Sequence, residues 1–222
     1  MKKIAIFVMF AACWFSAECA ENAWARWYLD LRRGTRDLER RVEEAVKSCR
    51  VAAEAGDAEA QFCLGLWYAE GDGVEQSYEE AVKWWRKSAE GGHAASQCRI
   101  GECYCYGRGV EMSYEEAVKW YQAAARQGYA RAEYNLGWCY SAGRGVEKSE
   151  EEAFKWWGKA AQGGHVKAQC NLGWCYEKGR GVEPSDLKAL EWYMKAAWQG
   201  DEYAKKAIKR LEKKRAEGKG QE

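Results

Sequence analysis

The sequence contains little proline, little histidine and no excess of either charge. Of its 222 residues one is Pro and two are His, and 35 basic residues stand against 34 acidic ones. Because the charges balance, the chain lacks the net excess of basic residues on which nucleic-acid binding depends, so no nucleic-acid partner is expected. No apolar run reaches the roughly 18–20 residues that a membrane-spanning helix needs, so no integral span is expected.

The N-terminus differs in composition from the rest of the chain. Two lysines precede an apolar run from Ile4 to Ala17. This order is typical of a secretory signal peptide, so residues 1–20 predict export to the periplasm or the exterior. The segment Phe10–Cys13 also resembles a lipoprotein processing site. Lipid anchoring through Cys13 is therefore an alternative to free secretion.

A period of 36 residues organises most of the remaining sequence. Four units align without a gap, at 58–93, 94–129, 130–165 and 166–201. Each contains the element Gly-x-Gly-Val, at 71–74, 107–110, 143–146 and 179–182. A degenerate unit is expected at 21–57, and a capping helix with a tail at 202–222. A fixed period of this length indicates a solenoid or another repeat architecture.

Each unit predicts two helices joined by the glycine loop. The first helix, roughly 58–69 in the first unit, carries a Gly that recurs in every unit and indicates close approach of a neighbouring helix. The second helix begins at a serine, and in three units a Glu three residues later completes a capping-box pattern. These serines are Ser77, Ser113, Ser149 and Ser185. Because one unit cannot bury its apolar face alone, stacking predicts an all-α, right-handed αα superhelix (solenoid) of helix–loop–helix repeats.

The unit resembles the Sel1-like repeat, a relative of the tetratricopeptide repeat, over about residues 43–215. In the third unit the resemblance is carried by Ala132, Leu136, Gly137, Tyr140, Gly143, Gly145, Val146, Ala153, Trp156, Trp157, Ala161 and Gly164. It implies an interaction scaffold of the kind used in exported bacterial proteins and in quality-control complexes of the secretory pathway. It implies no cofactor and names no partner.

Eight of the ten cysteines lie beyond the predicted signal peptide, and an even number in an exported chain permits disulfides. Cys49 and Cys63 lie seven residues on either side of Gly56, where two antiparallel helices are expected to meet. The pair Cys49–Cys63 is therefore a disulfide candidate. Secreted cysteine-rich members of the resembled family carry one bridge per unit, between cysteines eight apart, and this chain lacks that spacing.

The other six cysteines do not define a pairing. They are Cys98, Cys103, Cys105, Cys139, Cys170 and Cys175. A bridge between Cys139 and Cys170 stays open, but burial as small apolar side chains is the favoured interpretation. A metal site is not expected, because one residue separates Cys103 from Cys105 and no second Cys pair or His lies close in sequence.

Two motifs raise the alternative of catalysis. His93 and His165 share one slot in alternate units, where a turn residue is the favoured interpretation over a catalytic base. Ser185 and Lys188 fit the Ser-x-x-Lys motif of penicillin-recognising enzymes, but the partner motifs Ser-Asp-Asn and Lys-Thr-Gly are missing. Some cysteine-rich members of the resembled family are labelled β-lactamases, which keeps a β-lactamase-like hydrolase as an alternative function. The chain is otherwise expected not to be an enzyme.

The first helices offer the better functional candidate. In repeat superhelices of this kind they line the concave face, and residues at i, i+4 and i+7 share one side of a helix. In the third and fourth units these positions hold Arg131, Asn135, Trp138, Lys167, Asn171 and Trp174. A cation, an amide and an indole in adjacent units suit a protein or extended-peptide partner. The sequence thus predicts an exported binding scaffold, with a purely structural spacer as the other alternative.

Overall fold

The computed structural model describes residues 38–219, which form ten α-helices and no strand. The helices are α1 (Leu38–Glu54), α2 (Ala58–Glu70), α3 (Tyr78–Glu90), α4 (Ala94–Tyr106), α5 (Tyr114–Ala125), α6 (Ala130–Ala142), α7 (Glu150–Gln162), α8 (Val166–Lys178), α9 (Asp186–Trp198) and α10 (Glu202–Lys219). First and second helices alternate along the chain, which confirms the all-α solenoid. The predicted signal peptide, Cys13 included, and the start of the degenerate unit lie outside the described residues.

The chain divides between Trp84 and Trp85 into two compact units. In the N-terminal unit α1 packs against α2. A buried cluster of small and aliphatic side chains joins them, formed by Val46, Cys49, Ala53, Ala60 and Leu64. Amphipathic pairing of two helices across a short turn accounts for this core.

The two thiols of the predicted Cys49–Cys63 bridge are not joined in the structure. None of the eight cysteines of the described residues forms a disulfide, and Cys49 is buried while Cys63 is half-buried. The Cys49 Sγ donates instead to the carbonyl of Ala60 on α2, at 3.3 Å. The Cys49 thiol thus lies at the α1–α2 contact that the spacing predicted. The disulfide between Cys49 and Cys63 stays a prediction.

In the C-terminal unit, each first helix packs a glycine against an aromatic ring of the following second helix. A Cβ at Gly137 would overlap the indole of Trp157, and a Cβ at Gly173 would lie 2.6 Å from Tyr193 Cδ1. The rings are buried, with exposed fractions of 6% for Trp157 and 0% for Tyr193. The recurring helix glycine is therefore required by close helix packing, as its period predicted.

The second helices begin as predicted at their serines, but the capping box is only half formed. Ser113 Oγ accepts from the backbone N–H of Glu116 at 3.2 Å. The backbone N–H of Ser113 donates to the carbonyl of Tyr104 at 3.0 Å, and the Glu116 carboxylate binds Lys119 one turn later at 2.6 Å. The same arrangement recurs in α7, where Lys155 binds Glu152. A backbone hydrogen bond at the serine and an ion pair at i, i+3 of the helix thus replace the reciprocal hydrogen bond of the capping box.

A buried carboxyl group, Glu133, occupies a slot that holds glutamine in the other units. Gln97 and Gln169 donate their amides to the carbonyls of Ala89 and Ala161, at 3.4 and 3.2 Å. Glu133 is only 6% exposed and cannot donate when ionised. Burial raises its pKa, and Lys159 opposes that shift only in part. In the second and fourth units the side-chain oxygen of the slot glutamine also accepts a hydrogen bond, from Gln127 and from Gln199. The third unit has Gly163 at that donor position and offers Glu133 no such bond.

We expect Glu133→Gln to stabilise the fold by about 1–2 kcal/mol at pH 7. An amide at this slot can donate to the carbonyl of Ala125. For Glu133 this carbonyl is the equivalent of the Ala89 and Ala161 carbonyls that accept from Gln97 and Gln169. The gain should shrink as pH falls, since a protonated Glu133 can donate as well. Urea unfolding at pH 7 and pH 5 measures both effects. The exposed Glu147→Gln is the control, and an equal gain there would mean that net charge, not burial, is responsible.

Candidate functional site

The first helices α4 and α6 are joined by an ion-pair network at their accessible side. Glu102 accepts from Arg131 Nη2 at 2.6 Å and from Arg99 Nη1 at 3.2 Å. Burial acts against the charged form of Arg131, but Glu102 and neighbouring groups outweigh it and raise the pKa of the guanidinium. The side chains of Arg99 and Arg131 keep about a third of their surface exposed, at 30% and 29%. Two cations thus share one carboxylate at this surface.

Asn135 and Trp138 lie on the same side of α6 as Arg131, but both contact neighbouring elements. The Asn135 amide lies 3.8 Å from Cys98 Sγ on α4. The Trp138 ring lies 6.4 Å from the ring of Tyr114, with the Arg144 guanidinium 4.7 Å from its centroid. Trp138 is half-buried and packs against the core between α5 and α6. Much of this indole therefore fills a gap between helices, and one part of it remains accessible.

The fourth repeat presents its equivalent residues with fewer contacts. Lys167 is exposed, and Asn171 is half-exposed. Trp174 packs against two core clusters, and the Arg180 guanidinium lies 5.8 Å from its ring centroid. Lys167 and Asn171 are thus the predicted residues of this unit whose polar groups are most open to a partner.

Sequence reasoning missed two aromatic groups beside these residues. Tyr134 stacks on His165, with ring centroids 4.5 Å apart and an interplanar angle of 23°. Tyr106, at the end of α4, is 64% exposed. Tyr134 stands three positions after Arg131, which a search at i, i+3 as well as i, i+4 would have found. The surface therefore combines cations with accessible aromatic rings.

The two histidines are helix caps, as the turn interpretation predicted. His93 Nδ1 lies 3.4 Å from the backbone nitrogen of Ser96, and His165 Nδ1 accepts from Ala168 N at 3.3 Å. Burial, with the nearby charges of Arg131 and Lys167, lowers the pKa of His165 to about 4. A neutral imidazole is what a capping acceptor requires.

The Ser-x-x-Lys motif and the thiols have structural roles. Ser185 Oγ accepts from the backbone nitrogen of Lys188 at 3.3 Å and so caps α9, while the Lys188 ammonium lies 5.4 Å from the ring centroid of Tyr176. Burial raises the pKa of Cys103 and Cys139 to about 12, which keeps these thiols protonated and poorly nucleophilic.

Over 38–219, no three side chains of His, Cys, Asp or Glu come together in a way that could hold a metal ion. Nor does any helix of that part of the chain combine the length and apolarity needed to cross a membrane.

Comparison with known proteins gives a consistent result. The profile of the Sel1 repeat matches residues 58–93, 94–129, 130–165 and 166–201. A Sel1 repeat protein from Oxalobacter formigenes is 38% identical with a TM-score of 0.70, over 75% of this chain and 66% of that one. A protective antigen of uropathogenic Escherichia coli that displays an SLR fold is 31% identical with a TM-score of 0.73, over 86% of this chain and 41% of that one.

A more distant similarity concerns the fold alone. An immunity protein from Pseudomonas aeruginosa is 20% identical with a TM-score of 0.52, over 83% of this chain and 68% of that one. No curated protein is significantly similar to the chain. The chain spans just under two thirds of the Oxalobacter protein and less than half of the Escherichia antigen.

Proposed function

The chain belongs to the Sel1 repeat family of protein-interaction scaffolds, and from that premise we propose that its first helices bind an extended peptide segment of a partner protein. One observation carries the proposal. The same chemistry, a cation followed by an amide and an indole, recurs at Arg131 and Lys167 and at the positions four and seven residues after each. These side chains are half-buried or exposed on α6 and α8.

The spacing expected for successive first helices suits an extended chain. Packed helices lie about 8–10 Å apart, and an extended peptide advances about 3.3 Å per residue. Asn135 and Asn171 would therefore meet the peptide backbone about every third residue. A side-chain amide can both donate to and accept from a peptide group, which fixes the direction of the bound segment without reading its sequence.

The charges of this surface favour an acidic segment. Arg99, Arg131 and Lys167 contribute three positive charges, and Glu102 contributes one negative charge. The Glu102 carboxylate is 16% exposed and already bound by two guanidinium groups, so it presents little free negative charge. Lys167 is the cation most open to a carboxylate of the partner, and Tyr106 and Trp174 provide adjacent rings.

The proposed place of action is the cell envelope or the exterior. This part of the proposal rests on the charged and apolar order of residues 1–20 alone. Free secretion and anchoring through Cys13 are its two forms, and in both the scaffold meets its partner outside the cytoplasm.

Selection from a random peptide display library tests the binding face. We expect the purified chain to enrich acidic peptides, and Lys167→Glu combined with Asn171→Ala to weaken the enriched peptides about tenfold or more. Both positions are accessible, so helical content and melting temperature should stay unchanged. Fluorescence anisotropy of the enriched peptides measures the loss.

A matched variant separates this face from charge in general. Lys119→Glu reverses a charge on the second helix α5, where the side chain is 68% exposed. It should bind the enriched peptides like the unsubstituted chain. Equal weakening by both variants would indicate unspecific attraction, and unchanged binding by the Lys167/Asn171 variant would place the site elsewhere.

A further inference from the structure

The outer face of α9 is apolar, unlike the outer faces of the other second helices. Leu187 is 60% exposed, Met194 61% and Trp198 92%. These residues stand at i, i+7 and i+11, and Glu191 at i+4 lies among them on the same side of the helix. We call these four residues the α9 stripe. An exposed Trp with two long aliphatic neighbours is a feature of interaction surfaces rather than of solvated helices.

The other repeats provide an internal comparison for this stripe. The slot of Leu187 holds Glu79, Glu115 and Glu151 in the three preceding units, and the slot of Trp198 holds Glu90, Arg126 and Gln162. All six of these side chains are exposed. The repeat fold therefore tolerates charge at both slots, and nothing in the helix pair itself requires an apolar residue there.

The charges of α9 indicate what covers the stripe. The helix carries two acidic residues, Asp186 and Glu191, and two basic residues, Lys188 and Lys195, so its charges cancel. Within the described residues Glu191 takes part in no ion pair, while the Lys195 ammonium lies 4.0 Å from the ring centroid of Trp192. A neutral helix with an unpaired carboxylate in the stripe does not favour an anionic membrane. It is complementary to an antiparallel copy of itself.

We propose that two copies of the chain associate through the α9 stripe, with the two helices antiparallel about a two-fold axis. In this arrangement Leu187 meets Trp198 of the partner subunit, and Glu191 meets Lys195 of the partner subunit. Both contacts occur twice, as an isologous interface requires. Each contact joins residues whose numbers sum to 385 or 386, so one register satisfies both.

The size of the stripe sets the strength of this association. One helix face supplies fewer residues than the 20–30 per side of a typical stable interface, so a weak dimer is expected. Trp198 is its largest contributor, because a Trp can bury about 150–250 Å² and is here almost fully exposed. The dimer should therefore form at micromolar concentration rather than below it.

Sedimentation equilibrium of the purified chain over a wide concentration range tests the proposal. We expect a reversible monomer–dimer equilibrium that the double substitution Leu187→Glu and Trp198→Gln weakens about tenfold or more. Both new residues are those of the third repeat at the same slots, so the fold should be retained. Glu79→Leu adds apolar surface at the same slot of the first unit and is the matched control, so it should leave the monomer–dimer equilibrium unchanged.

A charge exchange identifies the partner as a second copy. Glu191→Lys alone and Lys195→Glu alone place like charges together and should each weaken the dimer, whereas both substitutions in one chain should restore it. A chain that sediments as a monomer throughout would overturn the proposal. So would a double exchange that fails to restore the dimer. Binding of a monomeric chain to anionic phosphatidylglycerol vesicles through Trp198 would assign the stripe to a membrane surface instead.

Discussion

Replacing Gly145 with Ala is expected to destabilise the C-terminal unit by about 4 kcal/mol, which combines a strained backbone with a steric clash. Gly145 has φ of +69°, a conformation that L side chains rarely adopt. A Cβ there would also overlap the carbonyl of Tyr114 and lie 2.7 Å from the nitrogen of Glu115, at the start of α5. Neither is the end of a flexible side chain, so the two repeats would have to separate. Urea unfolding followed by circular dichroism measures the loss.

The same substitution at Gly158 is the control for this prediction. Gly158 lies in the interior of α7, and a Cβ there would meet nothing within 4 Å. Because alanine favours the helix over glycine, Gly158→Ala should stabilise by about 0.5–1 kcal/mol. Opposite signs for two Gly→Ala changes in one repeat would locate the effect in the loop, where backbone strain and the contact with α5 act together. A small loss at Gly145 would show that the loop can move away from α5 at little cost.

The contacts within one repeat could be predicted from the sequence. The period of Gly137 indicated a close helix contact, and the structure provides the Trp157 ring at that point. Ser113 and Ser185 were expected to begin helices, and their hydroxyls accept from the backbone as expected. Such features depend on spacings of a few residues along one chain segment, and these spacings fix which groups can meet.

Contacts between repeats could not be predicted in the same way. The sequence placed Arg131 and Trp138 on one side of a helix, but Arg131 is bound by Glu102 and Trp138 lies against Tyr114. Which residue of one first helix meets the next depends on the rotation between successive repeats. The helical period does not contain that rotation, because it acts between units and is set by packing along the whole seam.

This difference matters for the candidate site. Trp138 and Trp174 recur with the period and were expected to face a partner, yet both also pack against core clusters. Truncating them would remove packing and binding together, and the result could not separate the two. Lys167 and Asn171 are therefore the better positions for a binding test, because their polar groups are more open.

His165 should make the stability of the C-terminal unit depend on pH, by about 1–3 kcal/mol between pH 7 and pH 4. Its pKa in the folded chain is about 4, well below the ordinary value of 6.5, chiefly because the ring is buried and then because Arg131 and Lys167 are near. The unfolded chain therefore takes up a proton first as pH falls. The stabilisation is complete above pH 6.5 and is lost as pH falls towards 4.

His165→Asn isolates this contribution. An Asn can accept from the backbone nitrogen of Ala168 in place of the imidazole, and it does not titrate. The variant should lose about 1 kcal/mol at pH 7, because the stacking on Tyr134 is removed. Its unfolding free energy should then fall less steeply than that of the unsubstituted chain below pH 6.5. Parallel pH profiles for the two proteins, measured by urea unfolding, would mean that protonated His165 is accommodated in the fold, and the cap would then be held by contacts other than the neutral ring.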